Sequence, residues 1–242
     1  MSSRKLEVLF QDVVVEQGMP LIIENWHKRP KWIRDLFTFS FLKENHGDDV
    51  ITCKDLRDGT DTNLQFKDYI SGVHGFRHDK SRIQPPSNQL LYAKDVSCPE
   101  YWHDHLMNDI IPPFLAYRRA HDLNSYSLDS AAENLMVYIG QHGTWTPAHF
   151  DHCGTVGHNI MTWADKDSYS IWFIVATKDR TKVESLLQSL GRTMEFENYF
   201  LSVEDFAKAD FPVYVAQQRP GDLVLIPSLG YHQVANMVPL RS

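Results

Sequence analysis

Residues 219–236 read Arg219-Pro-Gly-Asp-Leu-Val-Leu-Ile-Pro-Ser-Leu-Gly-Tyr-His-Gln-Val-Ala-Asn236, and they hold most of what this chain says about its fold. Pro220 presets the first central dihedral of a type II turn over Arg219–Asp222, and Gly221 supplies the positive φ of the second. The run Asp222 to Ile226 that follows is short, apolar and closed by Pro227, which predicts a buried strand. Similar short runs recur through the second half, β-branched or aromatic and bounded by Gly, Pro or Asp. They are Glu133 to Ile139, Gly157 to Trp163, Tyr169 to Ala176 and Pro212 to Gln217. Many short strands between turns predict a β-barrel or double-sheet jelly roll with helical decoration, a mainly β fold of the α+β kind.

One clear helix interrupts these strands. Thr181-x-x-Glu184 has the form of a capping box, Val183, Leu186, Leu187 and Leu190 share a face, and Gly191 ends it. A second box, Ser202-x-x-Asp205, opens a shorter helix around Phe206. In the first half, Leu21 to Glu24, Val50 to Cys53 and Leu90 to Ala93 read as strands. Trp26 to Phe41 and Leu64 to Gly72 read as helical, and Tyr101 to Tyr117 as helical up to Pro112-Pro113; Gln84-Pro-Pro-Ser reads as a loop. The expected organisation is one domain over 12–242: helices and strands over 12–130, then a jelly-roll core over 131–242 with a helical insert over 180–210. Residues 1–11 contain Leu6-Glu7-Val8-Leu9-Phe10-Gln11, which is similar to a viral protease site, so they read as an expression scar or a leader. The C-terminal Val238-Pro-Leu-Arg-Ser242, which stops abruptly after a strand-like segment, is expected of a domain cut from a longer protein.

Of the 242 residues, 43% are hydrophobic and 23% charged, and the formal net charge of −7 argues against broad electrostatic capture of nucleic acid. No apolar run reaches the roughly 18 residues that a membrane-spanning helix needs. Cys53, Cys98 and Cys153 are widely spaced and give neither a disulfide framework nor a zinc-finger spacing, as suits a reducing compartment.

The sharpest chemical motif is Thr146-Pro-Ala-His149-Phe-Asp151. In an extended strand, residues i and i+2 face one side, so His149 and Asp151 can converge on one point. An imidazole and a carboxylate supply two members of a 2-His-1-carboxylate triad, which leaves positions open on Fe(II); zinc is the rival metal. The second histidine has to come from elsewhere, and His232, after a turn-bounded strand and a bend at Pro227 and Gly230, is the natural candidate. His103-x-His105 diverges on a helix and reads as surface or packing. His152 and His158 read as loop histidines near the site, and Cys153 as a small buried residue.

The order Thr-x-x-His-x-Asp, then Asn159, then Ser170-Ile-Trp172, then Gly221-Asp and Pro227-x-x-x-x-His232-Gln-Val-x-Asn236 resembles the JmjC domain. That family folds as a double-stranded β-helix, a cupin-type jelly roll, and comprises Fe(II)- and 2-oxoglutarate-dependent oxygenases. Ile171 to Asp179 and Leu91-Tyr-Ala-Lys-Asp95 are most similar to the branch that demethylates histone H3 lysines. The resemblance implies His149, Asp151 and His232 as iron ligands, and Thr146 and Asn159 as contacts of the cosubstrate 2-oxoglutarate. Tyr138 is a further candidate donor. Many members hold the distal carboxylate of 2-oxoglutarate with a lysine. Alignment on Trp172 puts Ser170 at that position, and counting from His149 brings Lys166 near it.

The implied reaction consumes O2 in the oxidative decarboxylation of 2-oxoglutarate to succinate and CO2, coupled to hydroxylation of an N-methyl group that then leaves as formaldehyde. The implied partner is a histone tail or another protein peptide, and the implied place is the nucleus. Two alternatives stay open: a JmjC hydroxylase of another substrate, and a catalytically degenerate JmjC module for binding or regulation.

Overall fold

The computed structural model describes residues 2–78, 89–116, 135–151, 154–193 and 199–237. Helix α1 (Ser3–Leu9) runs into a π-helical turn over Phe10–Glu16, and strand β1 (Leu21–Ile23) follows. Next come α2 (Phe39–His46), β2 (Val50–Asp55), β3 (Asp61–Gln65), α3 (Phe66–His78), β4 (Leu91–Ser97), α4 (Glu100–His105) and β5 (Met136–Ile139). The remainder is β6 (Trp145–His149), β7 (Gly157–Ile160), β8 (Tyr169–Val175), α5 (Arg180–Ser189), α6 (Val203–Phe206), β9 (Tyr214–Gln218), β10 (Leu223–Ile226) and β11 (Tyr231–Met237). Two compact units result: Arg29–Thr144, and Met1–Lys28 together with Trp145–Ser242. Among the described residues no helix is long and apolar enough to cross a membrane. The Gln84-Pro-Pro-Ser segment lies outside the described residues.

The Arg29–Thr144 unit is built on an antiparallel sheet in the order β3-β2-β4-β5. Burial alternates along β2, which turns Ile51, Cys53 and Asp55 inward. The buried Asp55 carboxylate accepts the backbone N–H groups of Arg57 and Leu90, both at 3.0 Å. Where the β4–β5 register shifts between Ala93 and Val96, the buried Tyr69 hydroxyl fills the gap. It accepts from Ala93 N at 3.2 Å and donates to Ile139 O at 2.5 Å. Tyr69 belongs to α3, which runs through Gly72 instead of stopping there, and Leu64 and Gln65, read as its start, end β3.

The other unit is a jelly roll: the sheet β1-β10-β7 and the sheet β6-β11-β8-β9, both antiparallel throughout. Trp172, Ile174, Val224, Ile226 and Val234 cluster as its core. All four residues of β10 are buried, each worth about 1.5–3 kcal/mol relative to exposure. A second cluster packs the inner face of α5 (Val183, Leu186, Leu187) against Ala148, Val175 and Tyr231. The turn before β10 has the expected form: Gly221 has φ +91°, and Asp222 N donates to Arg219 O at 3.0 Å. The Asp222 carboxylate then ties the turn down, accepting from Arg219 N at 2.9 Å and Asn25 N at 2.8 Å.

The Ser202/Asp205 capping box of α6 is present with both bonds. The Thr181 box is not. Helix α5 starts two residues earlier, with Asp179 at its N-cap and no side-chain cap bond, because the tight turn over Thr177–Asp179 already leads the backbone into the helix. The loop between α5 and α6 is held by β11. Gln233 is fully buried, and its amide mimics a strand partner for Leu201, donating to Leu201 O at 2.8 Å and accepting from its N at 2.9 Å. Gln233→Leu therefore strands two buried backbone groups, and urea unfolding is expected to show a loss of about 2–4 kcal/mol. A loss below about 0.5 kcal/mol, the size of an ordinary surface substitution, would contradict this role.

Candidate metal centre

Strands β6 and β11 lie antiparallel with His149 directly opposite His232. The two ring centroids are 4.2 Å apart, with the planes at 52°. Toward the start of β6 the register shifts: Pro147 and Ala148 together oppose Gln233 alone, and Thr146 opposes Val234. Such a bulge suits Pro147, which has no N–H to give to a ladder. The Ala148 N–H that the bulge displaces donates to Tyr199 O at 3.0 Å. One extra residue also changes which positions share a face. Thr146 stands three residues before His149, yet it opposes Val234, which alternates onto the same face as His232.

Asp151 arrives differently from the extended-strand expectation. Strand β6 ends at His149, and Asp151 lies two residues beyond it, its carboxylate seated against Gly157 on β7. A Cβ at position 157 would stand 2.2 Å from Asp151 Oδ2, so only glycine leaves room for this acid. One ligand atom from each of His149, Asp151 and His232 lies within 4.8 Å of the other two.

Both imidazoles are pinned in the same way. Nδ1 of His149 is 2.7 Å from Pro147 O, and Nδ1 of His232 is 3.0 Å from Gly230 O. A carbonyl only accepts, so each Nδ1 carries a proton, which in the neutral imidazole leaves the Nε2 lone pair for a metal. His232 is 3% exposed, and burial, followed by the neighbouring His149, pushes its imidazole down to about 3; the Gly230 bond opposes the shift. It is therefore neutral, as a metal ligand has to be. Two imidazoles and one carboxylate fit a divalent ion with open coordination positions, the donor set of Fe(II) oxygenases.

A stability consequence follows for the metal-free protein. Between pH 6.5 and about 3 the unfolded chain protonates this histidine and the folded chain does not. Stability present above pH 6.5 should be lost as pH falls, by up to about 1.4 kcal/mol per unit. Urea midpoints at pH 7 and pH 5 test this: the wild type should lose more than His232→Gln, and equal losses would contradict it.

Residues 136–239 match the sequence pattern described as "JmjC domain, hydroxylase". Over these residues the chain is similar to JmjC domains. Over 236 residues the chain is 32% identical to "C-module-binding factor A" of Dictyostelium discoideum, covering 96% of this chain and 23% of that protein. It is 25% identical over 236 residues to the mouse (Mus musculus) "2-oxoglutarate and iron-dependent oxygenase JMJD4", covering 88% of this chain and 50% of the other. A "JmjC domain-containing protein 1" of Schizosaccharomyces pombe is 26% identical over 216 residues, covering 82% of this chain and 44% of that one. The chain thus spans half or less of the length of these relatives.

Within the matched residues, Trp172 of β8 stacks on His232, centroids 5.9 Å apart at 24°. Asn159 is half-buried on β7 and alternates onto the side of Gly157. Of the two candidates for the distal-carboxylate position, Lys166 is exposed in a turn, whereas Ser170 is buried on the face of Trp172. Ser170 Oγ donates to Asn236 Oδ1 at 2.7 Å, so a neutral pair occupies one of the two positions at which the resemblance places a lysine. Tyr138, on β5 of the Arg29–Thr144 unit, is 41% exposed, and its hydroxyl donates to Asp95.

His103 and His105 lie on α4 of that unit, paired with Asp104 and Asp109. His158 alternates to the side of β7 opposite Asn159, and burial lowers its pKa. His152 and Cys153 lie outside the described residues. Three contributors escaped the sequence reading: Gly157, Gln218 and Gln233. Only Gln233 stood inside a motif, and nothing in a lone glycine or glutamine marks its partner.

Proposed function

We propose that this chain is an Fe(II)- and 2-oxoglutarate-dependent oxygenase that hydroxylates a C–H bond of its substrate, and that this substrate is a methylated lysine of a histone tail. The observation that carries the first part is the convergence of His149, Asp151 and His232 with both Nε2 lone pairs set by backbone carbonyls. Fe(II) with 2-oxoglutarate and O2 would supply the oxidising power: one oxygen atom would end in succinate as CO2 leaves, and the other in the hydroxylated substrate.

The protein's own part is placement. His149, His232 and Asp151 hold the metal, the Pro147 and Gly230 carbonyls fix the imidazole tautomers, and Trp172 covers the inner face of His232. Thr146 and Asn159 offer neutral donors to the cosubstrate carboxylate. Hydroxylation of an N-methyl carbon gives a hemiaminal, which releases formaldehyde without further help. The finer substrate reading rests on the likeness of 171–179 to the H3 demethylase branch, and chromatin and the nucleus belong to that same reading. Hydroxylation of another protein side chain is the second reading, favoured by the matched family's description as a hydroxylase.

Incubation with Fe(II), 2-oxoglutarate and methyl-lysine histone peptides separates these readings. Formaldehyde formed one-for-one with succinate supports demethylation. Succinate with oxygen added to a peptide and no formaldehyde supports the second reading. Metal binding without succinate from any peptide would overturn both and leave the degenerate module.

A further inference from the structure

Gln218, the last residue of β9, is 1% exposed and joins groups from both sheets of the jelly roll. Its Oε1 stands 2.8 Å from Trp172 Nε1. Its Nε2 stands 3.0 Å from Asn159 Oδ1, and 3.2 Å from both Asn159 O and Asp222 O. The direction of each bond follows from chemistry alone. An indole N–H only donates, so the atom facing it has to be the Gln218 oxygen. The Gln218 nitrogen therefore faces Asn159, and since a carboxamide nitrogen only donates, the atom it meets there has to be the Asn159 oxygen. One donor-only ring thus sets two amides in sequence, and Asn159 turns its NH2 group away from Gln218. Alternation along β7 puts Asn159 on the same side as Gly157, against which the Asp151 carboxylate sits.

We infer that Gln218 is a positioning residue: it holds Asn159 in the one orientation that presents two donors to the carboxylate of a 2-oxo acid cosubstrate. The same side chain steadies Trp172 against His232, so the metal wall and the cosubstrate wall share one anchor. The inference rests on the oxygenase reading and adds to it a residue that touches neither metal nor cosubstrate.

Calorimetry with Mn(II) in place of Fe(II), followed by 2-oxoglutarate, tests it without turnover. Gln218→Glu keeps an acceptor for Trp172 and removes the donor that locks Asn159, so Asn159 is freed to turn its oxygen toward the anion. The Mn(II) Kd should stay within about threefold, while the 2-oxoglutarate Kd rises at least about tenfold, the scale of one lost charge-assisted hydrogen bond. The Trp172 indole N–H resonance should stay protected from exchange in this variant. Should Gln218→Glu fail to fold, Gln218→Met, neutral and of similar shape, should raise the 2-oxoglutarate Kd by about threefold or more and expose that indole proton. Unchanged 2-oxoglutarate affinity in a folded variant, or parallel weakening of metal and cosubstrate, overturns the inference while leaving the oxygenase reading intact. A metal-loaded wild type that binds no 2-oxoglutarate overturns both.

Discussion

His149→Ala is expected to fold as the wild type does and to lose more than about 100-fold in Fe(II) affinity, with succinate production falling alongside. Loss of a mere outer-shell partner of a metal ligand already costs about 10–100-fold, and here the proposed ligand itself goes. His149 is half-buried at the end of β6, so truncation there disturbs the core less than it would at His232, which is 3% exposed and stacked on Trp172. Metal content after dialysis, read beside a thermal melt, checks the expectation. Equal iron in wild type and variant would dismiss the triad.

Gly157→Ala probes the same centre from behind. The new methyl group would stand 2.2 Å from Asp151 Oδ2 and 3.2 Å from Ile226 Cδ1, so the carboxylate has to leave its seat. We expect a fall in metal affinity of about 10–100-fold, with 2-oxoglutarate turnover following it. A double-mutant cycle shows whether the effect runs through Asp151. In an Asp151→Ala background the added methyl group should cost almost nothing further, because its victim is gone. Additive losses would mean that Gly157 matters for another reason, such as the β7–β10 pairing.

The residues that were legible from the sequence are those whose chemistry is local. The turn at Pro220-Gly221, the all-apolar β10 and the Ser202 box each depend on neighbours within a few positions, and each formed as expected. His149, Asp151 and His232 were legible as a set because two imidazoles and an acid between strands and turns are a short list. The reason for their convergence was not. The extended-strand argument sends Asp151 along β6, whereas the chain leaves the strand and Gly157, on another strand, makes the room. The Thr181 box misled because the spacing of a cap reads the same whether or not the helix has already begun. Lys166 misled through counting: a turn between β7 and β8 carries it to the surface while Ser170 takes the inner face.

The pairing of β1 with β10 has a consequence in time. Leu21 meets Leu225, a residue 225 − 21 = 204 positions later. At about 5–20 residues per second, a ribosome needs roughly 10–40 s to deliver that partner, so the early strand waits with its backbone groups open. Contacts that distant also slow the search for the native state in a chain already complete. This jelly roll should therefore gain visibly in yield from a holdase that shelters β1 during synthesis, and a circular permutant that brings the two strands together should refold faster than the parent.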